Sequence, residues 1–358
     1  MAIPTTCRAA VVENEGADFS IKIDDVKVPK PGPGEVLVRL RTSGLCYSDL
    51  HYMLNDTAAP RMSSFGVTTA GHEGCGVVVE VGPQVDNFNI GDRAGVKPIW
   101  STCGTCELCL GDMETHCPKK LNTGLAVTGT FQHYILADAR HAIPIPDGIP
   151  DDLAATLMCS GATAYRSVKS ADLPPGSDVV ILGGGGGVGV QVVQIAKALG
   201  FRPIVVDVGD AKRELSLRMG ADSFVDIQKT NNAIAEVLRL TNGGARGVFV
   251  TAPPAYNTAL DYVGNRVGAV VMCIGLPATG SGHNILANPS SLVLKHLTIK
   301  GSLVGTREDT NSVLKLAQRG LIKKNCQVVA FNKLPHMVGL MKEGKTMYKI
   351  VVDYDLEI

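Results

Sequence analysis

Five consecutive glycines at 183–187 constrain this chain more than any other feature. They follow a short apolar run, 178–182, and precede a helical pattern. In that pattern Val188, Val192, Ile195, Ala196 and Leu199 share one face, and Gly200 ends it. The segment 179–196 runs 18 residues without a charge, but its six Gly and two Gln fit strand, turn and helix better than a membrane span. Residues 204–208, 224–227, 247–251, 269–274 and 298–304 read as further strands, separated by helical patterns such as 233–240. Strand and helix alternating over this length predict an α/β fold, a doubly wound parallel sheet.

The first 150 residues follow a different rhythm. Residues 35–40 (EVLVRL) alternate polar and apolar, and 77–81 (VVVEV) form an apolar run closed by Gly82 and Pro83. Residues 131–137 and 142–145 read as further strands, and Pro29, Pro31 and Pro33 interrupt the region early. Short strands between Gly and Pro predict a second, β-rich domain. The tail from about 306 adds helical patterns and a strand at 348–353.

Composition narrows the partners. The 34 basic and 34 acidic residues give a formal net charge of 0, which argues against nucleic acid or an acidic membrane as the target. With 19% charged and 45% hydrophobic residues the chain is not disordered. Residues 1–20 lack a continuous apolar run, so no secretory signal is expected and the cytoplasm is the expected location. Disulfides are then not expected among the ten Cys, and clustered thiols point to metal.

Gly184, Gly186 and Gly189 form G-x-G-x-x-G after a strand and at the opening of a helix. One Gly allows the tight turn, one lets a pyrophosphate approach the backbone, and one lets helix pack closely on strand. The helix N-terminus offers free N–H groups to the phosphate. Asp207 lies 18 residues beyond Gly189, at the end of the next strand. A carboxylate there accepts from ribose hydroxyls and repels a 2′-phosphate, so NAD is expected over NADP.

Cys103, Cys106, Cys109 and Cys117 give C-x2-C-x2-C-x7-C, which suits a closed tetrahedral zinc site. An iron–sulfur cluster is the rival reading, and reduced, unliganded thiols are the bland one. A second, dispersed set comprises Cys46 in GLCYSDLH, His72 in GHEG and Cys159 in LMCSG. Spacing alone does not establish it, because a lone Cys or His is more often a core residue.

GLCYSDLH at 44–51, GHEG at 71–74, the four-Cys segment, LMCSG at 157–161, GGGGVG at 184–189 and GSLVG at 301–305 occur in one order along nearly the whole chain. In these segments the sequence resembles the zinc-dependent alcohol dehydrogenases of the medium-chain dehydrogenase/reductase family, in their microbial, yeast-like branch. The resemblance implies an NAD-binding Rossmann domain at 161–303. It also implies a GroES-like catalytic domain built from 1–160 and 304–358, with a structural zinc lobe at about 98–120. Two zinc ions per chain are expected, one structural at the four Cys and one catalytic held by Cys46, His72 and Cys159, with Glu73 approaching the metal. Asp49 would orient the ligand His, and Ser48 and His51 would form a proton relay. The implied coenzyme contacts are Tyr47, Thr163, Gly184, Gly186, Gly187, Val188, Gly189, Asp207, Lys212, Ile274 and Lys349, the last near the pyrophosphate. Tyr47 stands where the family commonly carries His or Arg. Thr57 and Pro98 stand where microbial ethanol enzymes often carry bulky aromatics, which implies a wider pocket.

The expected reaction is reversible hydride transfer between a primary or secondary alcohol and NAD, giving an aldehyde or ketone. Small molecules are the expected partners, without nucleic acid or membrane, in a homo-oligomer that the resemblance makes a tetramer. A polyol, aromatic-alcohol or specialised-metabolite dehydrogenase on the same scaffold is the alternative, and a non-enzymatic zinc and nucleotide module is another.

Overall fold

The computed structural model describes residues 2–356. The chain forms two compact units. One comprises the residues up to Cys159, Thr306–Gln318 and the stretch from Cys326 onward; the other comprises Ser160–Gly305 and Arg319–Asn325.

The first unit holds strands β1 (Thr6–Glu13), β2 (Ser20–Lys27), β3 (Glu35–Leu45), β4 (Gly74–Val81), β5 (Arg93–Val96), β6 (Ile99–Ser101), β7 (Leu121–Asn122), β8 (Tyr134–Asp138) and β9 (Ile143–Pro144). Late in the chain it adds β16 (Cys326–Ala330) and β17 (Lys349–Asp353). Its helices are α1 (Tyr47–Leu54), α2 (Glu107–Leu110), α3 (Asp151–Thr156), α9 (Arg307–Gln318) and α10 (Leu334–Lys342).

β3 is 11 residues long and mostly buried, because its Val and Leu side chains meet apolar layers on both faces. It lies at the centre of a seven-stranded sheet of order β16-β17-β3-β4-β5-β9, with β8 also paired to β3. Register shifts at Leu37/Val38 and Leu40/Thr42 bend it against β4. Only glycine fits at position 76 in that bend, since a Cβ would lie 2.1 Å from the Arg39 carbonyl oxygen. Val36, Val38, Leu40 and Leu45 of β3 pack with Leu50 and Met53 of α1, Phe131, and Leu334 and Val338 of α10. That core fixes where β3 ends and α1 begins.

The second unit holds β10 (Asp178–Leu182), β11 (Arg202–Asp207), β12 (Ser223–Asp226), β13 (Gly247–Val250), β14 (Val270–Cys273) and β15 (Thr298–Gly301). Its helices are α4 (Ala162–Ser170), α5 (Gly187–Ala198), α6 (Asp210–Arg218), α7 (Ala233–Leu240) and α8 (Pro289–Lys295). All six strands are parallel, in the order β12-β11-β10-β13-β14-β15. That is the Rossmann arrangement, with its switch point between β10 and β13. The α/β fold class expected from the sequence is therefore present.

Three local expectations shift. The strand expected at 298–304 stops at Gly301, and Val304 takes a left-handed φ of 52° that an extended strand does not permit. The strand expected at 131–137 begins at Tyr134, because Phe131 bonds instead to Ala70 and Ala10. A 3₁₀ segment at Pro253–Val263 was not foreseen.

Candidate active site and metal centres

Cys46 sits at the junction of β3 and α1 as the N-cap of the helix. Asp49, in the first turn of α1, accepts the Cys46 N–H with Oδ2 at 2.9 Å. Its Oδ1 accepts His72 Nδ1 at 2.6 Å and the Gly71 N–H at 3.1 Å. Asp49 is fully buried, and a carboxylate only accepts, so the proton of His72 resides on Nδ1. Nε2 is thereby left with a lone pair, the form that ligates metal.

Cys46, His72, Glu73 and Cys159 bring one donor atom each within 4.8 Å of one another, and all four are buried. Cys159 lies in a π turn, Leu157–Gly161, which widens the helical path between α3 and α4. Glu73 fits because residue 44 is glycine: a Cβ there would lie 2.1 Å from Glu73 Oε2. Glu73 Oε1 meets Lys349 Nζ at 2.7 Å, while the buried Oε2 has no hydrogen-bond partner among the described residues. Burial pushes the Glu73 carboxyl up to about 7, against the pull of Lys349. A hydrogen bond from Cys159 holds the Cys46 thiol well below its ordinary range, and Cys159 is pushed up correspondingly. Two thiols and one imidazole in a buried pocket, beside an orphaned carboxylate oxygen, are a donor set that fits a divalent zinc ion.

Cys103, Cys106, Cys109 and Cys117 form the second cluster. Their Sγ atoms approach one another at 3.5 Å (Cys106–Cys109) to 3.9 Å (Cys103–Cys109). Tetrahedral Zn–S bonds of ~2.3 Å place sulfurs about 3.8 Å apart. Sulfurs at this spacing close around one ion and are too near one another to span a cluster of several irons. Backbone N–H groups of Thr105 and Cys106 bring the Cys103 thiol down to about 6, favouring thiolate. α2 buries none of its side chains, so the lobe has little core of its own.

Within the second unit, the 183–187 turn joins β10 to α5, with Gly186 as N-cap. A Cβ at Gly189 would lie 2.3 Å from the Gly183 oxygen, and one at Gly184 would lie 2.7 Å from the Val205 methyls. Asp207 accepts the Gly185 N–H at 2.9 Å and Lys212 Nζ at 2.7 Å, so it is oriented at the lip of the turn. Gly187 and Val188 open α5, Ile274 directly follows β14, and Thr163 is buried in α4, which packs on α5.

Within the first unit, Ser48 is half-buried in the first turn of α1 and His51 lies one turn on, 6% exposed. Tyr47 is 53% exposed, and its ring meets that of His51 edge-on at 5.4 Å. Lys349, expected at a pyrophosphate, is instead buried and ion-paired to Glu73. Sequence reasoning missed two residues. Tyr52 packs its ring 6.4 Å from His72, and Asp56 accepts from His51 Nδ1 at 2.6 Å. The only sequence signal for Asp56 was Asn55-Asp56 just past the end of a helix.

Comparison with known proteins agrees with this chemistry. Residues 32–147 match the family described as "Alcohol dehydrogenase GroES-like domain", and residues 187–319 match "Zinc-binding dehydrogenase". An alcohol dehydrogenase of Schizosaccharomyces pombe is 41% identical over 99% of both chains. The acetophenone reductase of Geotrichum candidum, solved in complex with NAD, superposes with a TM-score of 0.83 at 27% identity, covering 99% of this chain and 100% of that one. An NAD-dependent alcohol dehydrogenase superposes at 0.85 and 27% identity over 97% and 99% of the two chains. With identity at that level from end to end, and with both domain families matched in order, the chain belongs to the zinc-dependent alcohol dehydrogenases of the medium-chain dehydrogenase/reductase family.

Proposed function

We propose that the protein interconverts a primary or secondary alcohol and its aldehyde or ketone, using NAD and a zinc ion held by Cys46, His72 and Cys159. The carrying observation is the buried four-donor group with its unpartnered Glu73 oxygen. When bound, zinc supplies Lewis acidity toward the substrate oxygen, and NAD supplies the two-electron acceptor.

The chain's own groups do the rest. Asp49 holds His72 in the ligating tautomer and anchors the start of α1. Glu73 would stand beside the metal as a carboxylate able to approach it, while Lys349 balances its charge. The Ser48 hydroxyl both donates and accepts, so it can hand the substrate proton toward His51. The four Cys at 103–117 fold the lobe around a second zinc.

For the coenzyme, the 184–189 turn and the N-terminus of α5 receive the pyrophosphate, and Asp207 with Lys212 receives the adenosine ribose. Tyr47 offers a phosphate a hydrogen bond without a fixed charge, and Thr163, Gly187, Val188 and Ile274 line the remaining coenzyme surface. We assign coenzyme binding to 161–303 and catalysis to 1–160 with 304–358. No helix among the described residues is long and apolar enough to cross a membrane. We propose a cytoplasmic homotetramer, as the resemblance to the yeast-like branch implies.

The test is NADH formation by the zinc-loaded protein across primary, secondary, aromatic and polyhydric alcohols. Turnover that requires zinc and NAD supports the proposal. No turnover with any alcohol or carbonyl offered, at full zinc content, sinks it.

A further inference from the structure

His51 is buried, yet its ring is gripped from two sides by residues of its own helix and of the turn that follows. Nδ1 lies 2.6 Å from Asp56 Oδ1. The Tyr47 ring, four residues earlier and on the same helical face, meets it edge-on at 5.4 Å. The side chain keeps about 7% of its surface open, and with Nδ1 engaged by Asp56 the ring's other polar atom is Nε2. We propose that Asp56 is a positioning residue for His51. Its carboxylate keeps the imidazole proton on Nδ1, which leaves Nε2 as the open, accepting end of the ring.

The backbone is built to make this contact. In a continuing α-helix, a residue five positions on points about 140° away from the first. Here α1 ends at Leu54 and Asn55 turns left-handed, with φ 49° and ψ 45°. Its N–H bonds back to the His51 and Tyr52 carbonyls, and the Asp56 N–H reaches the His51 carbonyl at 3.4 Å. That reversal carries the Asp56 side chain to the Nδ1 edge of the His51 ring. Helix stability does not explain the acid, because a negative charge beside the last turn of a helix opposes the macrodipole.

A carboxylate can only accept, so the tautomer with the proton on Nε2 would leave two acceptors facing each other at Nδ1. The Nδ1–H tautomer is therefore selected before any substrate arrives. A proton passed along Ser48 is taken by the Nε2 lone pair, and the resulting imidazolium has its charge beside the Asp56 carboxylate. Release of the same proton from Nε2 to solvent restores the starting form. Without Asp56 the ring would divide between two tautomers, one of which cannot accept at Nε2.

This inference rests on the reading of His51 as a relay group, and the experiment separates the two. Magic-angle-spinning ¹⁵N spectra of histidine-labelled, zinc-loaded protein, with His51→Gln used to assign the signals, report the tautomer directly. We expect the Nδ1–H form in the parent, a mixture in Asp56→Ala, and the parent form again in Asp56→Glu. NADH formation should fall about 10-fold in Asp56→Ala, recover in Asp56→Glu, and leave the KM for NAD within about twofold. If Asp56→Ala retains the parent tautomer, the proposal is overturned, whether or not its rate falls. Unimpaired turnover in His51→Gln overturns the relay reading instead, and the spectra still decide whether Asp56 sets the tautomer.

Discussion

Cys46 is the residue at which metal binding and coenzyme binding can be separated, because its sulfur belongs to the buried donor group while the glycine turn lies in the other unit. Cys46→Ser should cost about one of two zinc equivalents per chain and reduce turnover by orders of magnitude. NAD affinity, read by quenching of fluorescence, should stay within a few-fold. Two retained equivalents with normal turnover would remove Cys46 from the ligand set. The individual donors were legible in the sequence because each sits in a short motif. The Glu73–Lys349 pair was not, since 276 residues separate its members and neither segment signals the other.

Lys97 is a second residue invisible to pattern reading. Burial drives its ammonium down to about 8 from an ordinary 10.5, and it donates a hydrogen bond to Thr310 Oγ1 at 3.3 Å. Between those two values the unfolded chain binds more protons than the folded one, so folding stability rises with pH across that window. Below about pH 8 both states carry the proton, and the cost of the buried charge is at its full value. Lys97→Met removes this dependence. Relative to the parent, the variant should lose an advantage on the order of 3 kcal/mol between pH 7.5 and 10.5, measured by urea unfolding of zinc-saturated protein. Parallel stability profiles for parent and variant would show that the ammonium is not held in a desolvating site.

At the scale of elements, two segments are shaped by what they must approach. α5 can lie against the end of β10 only because residue 189 lacks a side chain: a Cβ would meet the Gly183 oxygen at 2.3 Å and the Gly184 Cα at 2.6 Å. Both obstacles are backbone, which yields less readily than a side chain. Gly189→Ala should cost about 1–3 kcal/mol in stability and weaken NAD at least tenfold, with zinc content unchanged. Isothermal titration with NAD, beside a metal assay, checks it; parent-like affinity would show that the turn tolerates displacement. The four-Cys lobe is shaped by its metal, since α2 offers no buried side chain to a core. Cys106→Ala should release one zinc and make residues 103–117 the first site of proteolysis, while the Cys46 site keeps its ion. A lobe as resistant as the parent's would show that packing alone holds it. The cysteine spacing made this lobe readable, whereas the π turn under Cys159 was not, because LMCSG carries no helix-widening signal in its residue types.

At the scale of the molecule, alternating strand and helix announced a parallel sheet, but not which strand would lie at its rim. The order of strands is set by contacts between distant segments, and so is the return of β17 to pair with β3 some 300 residues later. The rim bears on the proposed assembly. Among the described residues β15 pairs only with β14, so one edge of its backbone is open, and three of its four residues are exposed. Beside it in sequence, Val293 and Leu294 of α8 are 79% and 81% exposed, and Leu286 is 70% exposed. An open edge flanked by exposed aliphatic side chains invites pairing with another chain, and the closed way to satisfy it is a twofold axis joining two copies edge to edge. Leu294→Asp, paired with Val293→Asp, places charge in that apolar surface without touching either metal cluster. Light scattering should give an oligomer for the parent, and half its mass or less for the double variant at the same concentration, with zinc content preserved. A parent that is monomeric at tens of micromolar, or a variant of undiminished mass, would show that the β15 edge is not where copies meet.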